Sequence, residues 1–331
     1  MSYIKLKILL FIIFFSTFLG CSRHDTSPIV VIYTSVDQVY SSQIFKDFEQ
    51  KTGIKVLAVY DTEASKAVGL EKRLLMEKSH PRADIFWNSE PIRTARLAEQ
   101  DLFKSYKQFS IKNYQSEMYY DAKRRWFGIG KRNRVIIVNT QQVKEESYPK
   151  LLQTLWSKKY QGKVAISSPY IGTAATHFAA LYHRLGEKKF KQLLKTIKES
   201  HVTYLAGNSV VKDVVGEGKY PIGLVDSDDA LAGINAGLPI AMIHYDQNTT
   251  GTFSIIGTVA QLKDSPNPSE AKRFMDYLLT TETEQKLIDL GAVQYSVFKQ
   301  STSNTPKQWT QDPNLLLDDL RHSYTLMKEI L

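Results

Sequence analysis

Short apolar runs rich in Val, Ile and aromatic residues alternate along this chain with longer segments whose apolar residues recur at helical spacing. That alternation constrains the fold more than any other feature, because strands spaced by helices pair in parallel as βαβ units. IVVIYTS reads as a first strand, and SSQIFKDFEQKTG as a helix with Ile44, Phe45 and Phe48 on one face and a Gly53 stop. IKVLAVY is a second strand, and a helix carrying Leu70, Leu74 and Leu75 runs on to His80-Pro81. ADIFW is a third strand, followed by NSEP, in which Ser89 is placed to cap a helix with Pro91 in its first turn.

A second set opens with WFGIGKRNRVIIVNT, a long strand-like segment, and continues with KVAISSP, YPIGLVD, LPIAMIHYD and FSIIGTVAQL as strands. YIGTAATHFAALYHRLG leads into a helix, and PSEAKRFMDYLLTTETEQKLIDLG is one helical stretch. Asp312-Pro313 opens a terminal helix with Leu316, Leu320, Tyr324 and Met327 on a shared face. The pattern predicts two doubly wound α/β lobes joined by a two-strand hinge, with a ligand cleft between them. WFGIGKRNRV and the region around HYDQNTTGTFS are the expected crossings. On this division residues 29–130 with about 253–300 form lobe 1, and 131–252 with about 301–331 form lobe 2. A chain of 331 residues is long enough for both.

The first twenty residues stand outside that scheme. Lys5 and Lys7 precede an apolar run from Ile8 to Leu19, too short to span a bilayer comfortably and laid out as an export signal. Cys21 follows at once and is the sole cysteine, so no disulfide forms within one chain. Residues 1–20 are therefore expected to be a lipoprotein signal peptide, Cys21 the lipidated residue and 21–28 a tether. The mature protein is then exported, periplasmic or at the cell surface, and held to a membrane by lipid. The formal charge is +9, but Lys and Arg are scattered along helical segments such as RLGEKKFKQLLKTIK. No nucleic-acid-binding motif accompanies them, and a solvated basic face is the reading adopted.

Ligands of open α/β sheets sit outside the carboxyl ends of the strands. Here those loops read TSVD, DTEAS, NSE, SSPYIGT and DSDD. They make Ser35, Asp37, Thr62, Glu63, Ser65, Asn88, Glu90, Thr173, Asp226, Ser227 and Asp228 the candidate ligand contacts, with Arg132 from KRNR. Two readings of DSDD stand. Asp226 or Ser227 caps a helix while Asp228 and Asp229 favour its positive end, each worth about 0.3–1 kcal/mol. Alternatively these acids join Asp37, Asp61, Glu63 and Glu90 in one crevice, where like charges repel unless a hard cation or an organic ammonium neutralises them. Without a His or Cys cluster beside them, zinc and copper are disfavoured. Gly172, Thr173 and Ala174 offer N–H groups and a hydroxyl at a helix start, an anion site. Arg132 and Arg134 alternate on a strand and so share a side. His177 and His244 read as structural.

VVIYTSVDQVYSSQIFKDFEQKTGIKV, ADIFWNSEPIRTARL, GKRNRVIIVNT and GAVQYSV, behind a lipobox-like leader, resemble the solute-binding proteins of bacterial ABC importers. The resemblance is to the two-lobed group with ferric-ion-, phosphonate- and thiamine-binding members, and covers about Ile29 to Phe298. For ferric-binding relatives it implies two adjacent tyrosines from the second lobe; Asp226-Ser227-Asp228 stands there instead. It puts Asp37 at a histidine ligand, Glu90 within a residue of a glutamate ligand, Arg132 at an anion-binding arginine and Thr173 near an anion-binding hydroxyl. Asp37, Glu90, Asp226 and Asp228 are thus the metal-ligand candidates.

The implied function is capture of a small solute, iron(III) or another metal with a synergistic anion, for delivery to a permease and its ATPase. An organic phosphate or phosphonate is the alternative cargo; an exported carboxylate-dependent hydrolase and a sensor lipoprotein are further ones. No G-x-S-x-G, H-E-x-x-H or P-loop motif is present, so no catalysis is expected. No resident cofactor and no nucleic-acid partner are expected, and the protein is expected to act as a monomer.

Overall fold

The computed structural model describes residues 27–61, 68–298 and 305–331. The leader and Cys21 lie outside the described residues, as do Thr62, Glu63 and Ser65. The chain opens with β1 (Ile29–Thr34), α1 (Gln38–Thr52), β2 (Lys55–Tyr60), α2 (Val68–Met76), β3 (Ile85–Asn88) and α3 (Pro91–Glu99). β1 pairs in parallel with both β2 and β3, as the βαβ pattern requires. Gly53 ends α1 in the left-handed conformation at φ 71°, its N–H bonded to the Glu49 carbonyl, where a side chain would strain the backbone.

β4 (Phe127–Asn139) is then followed by β5 (Val164–Ser167), α4 (Gly172–Glu199), β6 (Thr203–Leu205), α5 (Asn208–Gly216), β7 (Ile222–Asp226) and α6 (Ser227–Asn235). The chain closes with β8 (Ile240–Ile243), β9 (Thr252–Gln261), α7 (Pro268–Leu278), α8 (Thr281–Asp289), β10 (Gln308–Trp309) and α9 (Leu317–Ile330). The strands form one path, β2-β1-β3-β9-β4-β7-β5-β6, with β10 against β9 and β8 against β4.

The two α/β lobes and their two-strand hinge are present, but the sheet is not parallel throughout. β9 runs antiparallel to β3 and β4, and β4 antiparallel to β7 and β8. β4 serves both lobes: Phe127–Asn133 pairs with β9, and Arg134–Val138 pairs with β7. All thirteen of its residues are buried. A strand buried on both faces reads as a continuous apolar run, and the GKRNR interruption in this one marks where the lobes meet.

Each lobe has its own core. One gathers Val30, Phe48, Phe86, Trp87, Trp126, Phe127 and Phe274. The other gathers Ile136, Trp156, Ile166, Phe178, Phe190 and Leu224. A smaller cluster of Ile92, Ala175, Ala179, Phe253, Ile255, Leu316 and Leu320 joins α3, α4 and β9 at the hinge.

Several local expectations are corrected. Glu90, not Ser89, caps α3, because its carboxylate reaches the N–H groups of Ile92 and Arg93, at 2.9 and 3.2 Å. The run expected as one helix from Pro268 is two, since Thr280 accepts from the Thr283 N–H and starts α8. α4 is kinked at Gly186, φ 71°. In the terminal helix Leu320 and Met327 are buried, but Tyr324 is 45% exposed and stands edge-on to Tyr170.

Gly130 shows how tightly the hinge is built. It sits at φ 64° in a register shift of β4 against β9, and its N–H donates to Glu284 Oε1 at 2.9 Å. A Cβ there would lie 2.6 Å from Val293 Cγ2. Gly130→Ala is expected to cost about 2 kcal/mol or more, combining left-handed strain with overpacking. Urea melts would measure it, and adding Val293→Ala should return the steric share but not the backbone share.

Candidate functional site

The strand ends bring the predicted loops together, though with unequal roles. Ser35 and Asn88, both buried, fasten β1 to β3: Ser35 Oγ donates to Asn88 Oδ1 at 2.5 Å and accepts from the Ser89 N–H at 2.9 Å. Asn88 in turn donates to the Glu90 carbonyl at 2.6 Å. Glu90 is fully buried. Besides capping α3 it accepts from Thr176 Oγ1 at 2.9 Å and pairs with Arg93 Nη1 at 3.3 Å. In this conformation its carboxylate serves the junction between α3 and α4 rather than the open cleft.

Asp226 ends β7 at the N-cap position of α6, yet its side chain makes no cap bond. Its Oδ1 accepts from Arg134 Nη1 at 2.8 Å, and its Oδ2 accepts from Arg132 Nε at 3.2 Å and Thr173 Oγ1 at 2.6 Å. Burial pushes the carboxyl up, but Arg134, Arg132 and the Thr173 hydroxyl outweigh it and hold it below the usual carboxylate range. Of the two readings of DSDD, side-chain capping by Asp226 is therefore replaced by ion pairing with both arginines. Ser227 Oγ accepts from the Asn133 N–H at 3.0 Å and donates to Gln294 Oε1, tying the second lobe to the GAVQYSV loop of the first.

Arg132 stands at the centre. Its Nη2 donates to the Ser89 carbonyl at 3.0 Å, and its Nη1 lies 3.7 Å from Asp228 Oδ2. Burial disfavours its charge, but Asp228, Asp226, Asp37 and Asp229 together hold it firmly protonated. Carboxylates from both lobes thus act on one guanidinium: Asp37 follows β1, and the other three surround the start of α6. Carboxylate oxygens of Asp226, Asp228 and Asp229 fall within 4.8 Å of one another. Tyr40, on α1, belongs to the same field; burial first, then Asp228, Asp229 and Asp37, raise its phenol strongly.

A narrow polar cleft opens beside Arg132. It is lined by Ser89, Ser167, Ile171 to Ala174, Ala206 to Asn208, Asp226, Asp228 and Asp229. The N-termini of α4 and α5 reach it, and neither N-cap residue, Ile171 or Gly207, makes a side-chain cap bond. Backbone N–H groups and the helix dipoles there favour an anion. Buried Ser167 Oγ lines the same cleft and meets no hydrogen-bond partner among the described residues. A buried hydroxyl left unpaired costs about 1–3 kcal/mol, a cost that a bound anion or a water removes.

Thr173, Arg132, Asp226 and Asp228 from the sequence reading therefore meet at the cleft, and Asp37 contributes through its charge. Ser35, Asn88, Glu90 and Ser227 are engaged in structural bonds. Ser167, Gly207 and Asn208 were not anticipated. The G-N-S ahead of the apolar VVKDVV is the helix-start signal that marks the last two. His177 is buried, stacks on Phe253 at 5.1 Å and is held neutral by burial and then by Arg134. Tyr170 and Tyr245 both lie away from this cleft, bonded to the Met327 carbonyl and near His177.

Residues 43–316 match the family model of bacterial extracellular solute-binding proteins. The major ferric iron-binding protein of Neisseria meningitidis serogroup B is 23% identical over 272 residues, covering 80% of this chain and 79% of that protein. Iron-bound HitA from Pseudomonas aeruginosa superposes with a TM-score of 0.80 at 20% identity, over 92% of this chain and 99% of its own. AfuA from Actinobacillus pleuropneumoniae, with exogenous fructose-6-phosphate bound, gives a TM-score of 0.76 at 21% identity over 92% and 99%.

Proposed function

Since the chain belongs to the bacterial extracellular solute-binding proteins, we propose that it closes its lobes on a metal ion, iron(III) foremost, together with an anion, and delivers them to an ABC permease. One observation carries this reading: Asp226 and Asp228 hold Arg132 beside two uncapped helix starts, and Asp37 and Asp229 add their charge. Asp37, Asp226, Asp228 and Asp229 outnumber Arg132 and Arg134, so the cleft has an excess of negative charge for a hard cation. The α4 and α5 starts with Ser167 supply the anion's side. Lobe 1 is taken as 29–130 with about 253–300 and lobe 2 as 131–252 with about 301–331; the membership of the two cores supports that division. Lobe closure by hinge motion shares the cargo between them. The protein is taken to be non-catalytic, monomeric and anchored through Cys21.

A second reading, an organic phosphate as the whole cargo, is favoured by Ser167 and the paired helix starts, and by the sugar phosphate bound in AfuA. Thermal melts of ligand-stripped protein separate the two. A solute at 100 times its dissociation constant stabilises by about 2.7 kcal/mol. Iron(III) citrate, iron(II), manganese(II), phosphate, phosphonates and sugar phosphates are the panel. The metal reading expects a shift that Asp228→Ala with Asp37→Ala removes; a shift with sugar phosphates alone, unchanged in that variant, makes phosphate the cargo.

A further inference from the structure

A cavity of about 490 Å³ lies on the second lobe and shares no lining residue with the interlobe cleft. It sits where α4 breaks: Gly186, at φ 71° and ψ 163°, is not helical, and residues on both sides of it line the cavity. Leu181 and Leu185 come from before the break, Leu193 from after it. Leu152 and Trp156, buried in a short 3₁₀ turn, and Trp309 of β10 complete the apolar wall. Small-molecule sites have volumes of about 300–1,000 Å³ and are mostly apolar, with a few placed polar groups. The polar groups here are unequal in sign. Arg184 and Lys189 line the cavity, and neither forms a salt bridge among the described residues. Asp246 is the one acid among the lining residues, and its Oδ1 already accepts from the Leu152 N–H at 3.2 Å. The Arg184 guanidinium lies over the Trp309 ring, 4.7 Å from its centroid, so a cation is held against an aromatic wall.

We propose that this cavity is a second small-molecule site, separate from the cargo cleft, and that it takes an amphipathic organic anion. The apolar body enters between Trp156, Trp309 and the leucines of α4, and its carboxylate meets Arg184 and Lys189 at the exposed rim. The two parts of the ligand do different work. Removing the apolar body from water supplies most of the affinity, in proportion to the area buried. The cations select the head group, since an excess of positive charge favours an anion over a neutral or cationic one. Both cations are exposed, and exposed ion pairs are individually weak, so their joint effect on affinity is about fivefold rather than larger. The site does not depend on what the cleft carries, because none of its residues reaches that cleft.

Tryptophan fluorescence reads the occupancy, because Trp156 and Trp309 line the cavity while Trp87 and Trp126 are buried in the other core. The mature chain from Ser22 onward is titrated with decanoate and, as the uncharged counterpart, decanol. Wild-type protein should give a saturable change with decanoate. Arg184→Gln combined with Lys189→Gln should weaken decanoate about fivefold and leave decanol within twofold. Leu185→Trp, which puts a ring into the void, should weaken both at least tenfold; the double variant, at two exposed positions, decides the matter should Leu185→Trp fail to fold. Asp228→Ala with Asp37→Ala should leave decanoate affinity within twofold. No saturable change in wild type, equal affinities in wild type and the double variant, or full binding in a folded Leu185→Trp protein overturns the site and leaves the cargo reading standing. Loss of decanoate binding in the Asp228→Ala, Asp37→Ala protein places the anion in the interlobe cleft and overturns it as well.

Discussion

Asp226→Ala is expected to destabilise the protein by about 3–5 kcal/mol, the scale on which breaking a buried ion pair strands its partners. Here Arg134 is stranded, while Arg132 keeps Asp228 and the Ser89 carbonyl. Arg134 is 1% exposed and Arg132 8%, and neither can shed its charge. Arg134 would keep neutral acceptors at Asn208 Oδ1 and the Leu224 carbonyl, which temper the loss without cancelling the charge. The melting temperature should fall by roughly 4–8 °C for a chain of this size. Asp226→Asn preserves the shape but not the charge and should lie between.

The same carboxylate gives a pH signature. Its folded value lies below the usual range, so the unfolded chain binds the proton first as pH falls. The stability it contributes is complete above about pH 4, where the unfolded carboxyl is ionised, and is lost as pH drops toward the folded value. Acid melts of wild type and Asp226→Asn should therefore converge below that point. Parallel curves down to the lowest pH would mean that the two arginines are satisfied by something other than Asp226.

Glu90→Ala carries the second large effect, about 3 kcal/mol. It removes the cap of α3, worth about 1 kcal/mol, and the charge-assisted bond from Thr176, worth about 1.5–3 kcal/mol. Arg93 would retain Glu71 Oε2 at 3.5 Å. Glu90→Gln keeps one acceptor oxygen and should cost about half as much. With the carboxylate of Glu90 bonded to α3, Thr176 of α4 and Asn88, iron(III) affinity of Glu90→Gln is expected to stay within threefold of wild type. A large loss of iron affinity with an unchanged melt would instead assign Glu90 to the cargo, its cap bonds exchanged on loading. Calorimetry and a melt on the same preparation read both quantities.

Much of this architecture was legible because it is written in local pattern. The alternation of IVVIYTS, IKVLAVY and ADIFW with amphipathic helices dictated parallel pairing in the first lobe, and β1 has that pairing on both sides. Gly53 and Pro91 mark helix ends by backbone geometry alone, which needs no tertiary partner. The strand ends also border the cleft, since Ser167, Ala206 and Asp226 line it at the ends of β5, β6 and β7. What local pattern missed is equally physical. Thr203–Leu205 is too short to show alternation, and Thr280 hides a helix start inside a continuous helical period.

The sequence by itself determined the elements, the two-lobed α/β class and which loops carry charge, because propensity, periodicity and turn chemistry act over a few residues. Only the tertiary structure decided what those charges do. Asp226 is an ion-pair centre rather than a cap because β4 runs antiparallel beside β7 and delivers Arg134 opposite it, from 92 positions away in the chain. Glu90 is a cap rather than an open ligand because α4 brings Thr176 against it from 86 positions away. A carboxylate's partner is set by which strands neighbour one another, and that follows from packing two cores around one shared strand, which no local window contains.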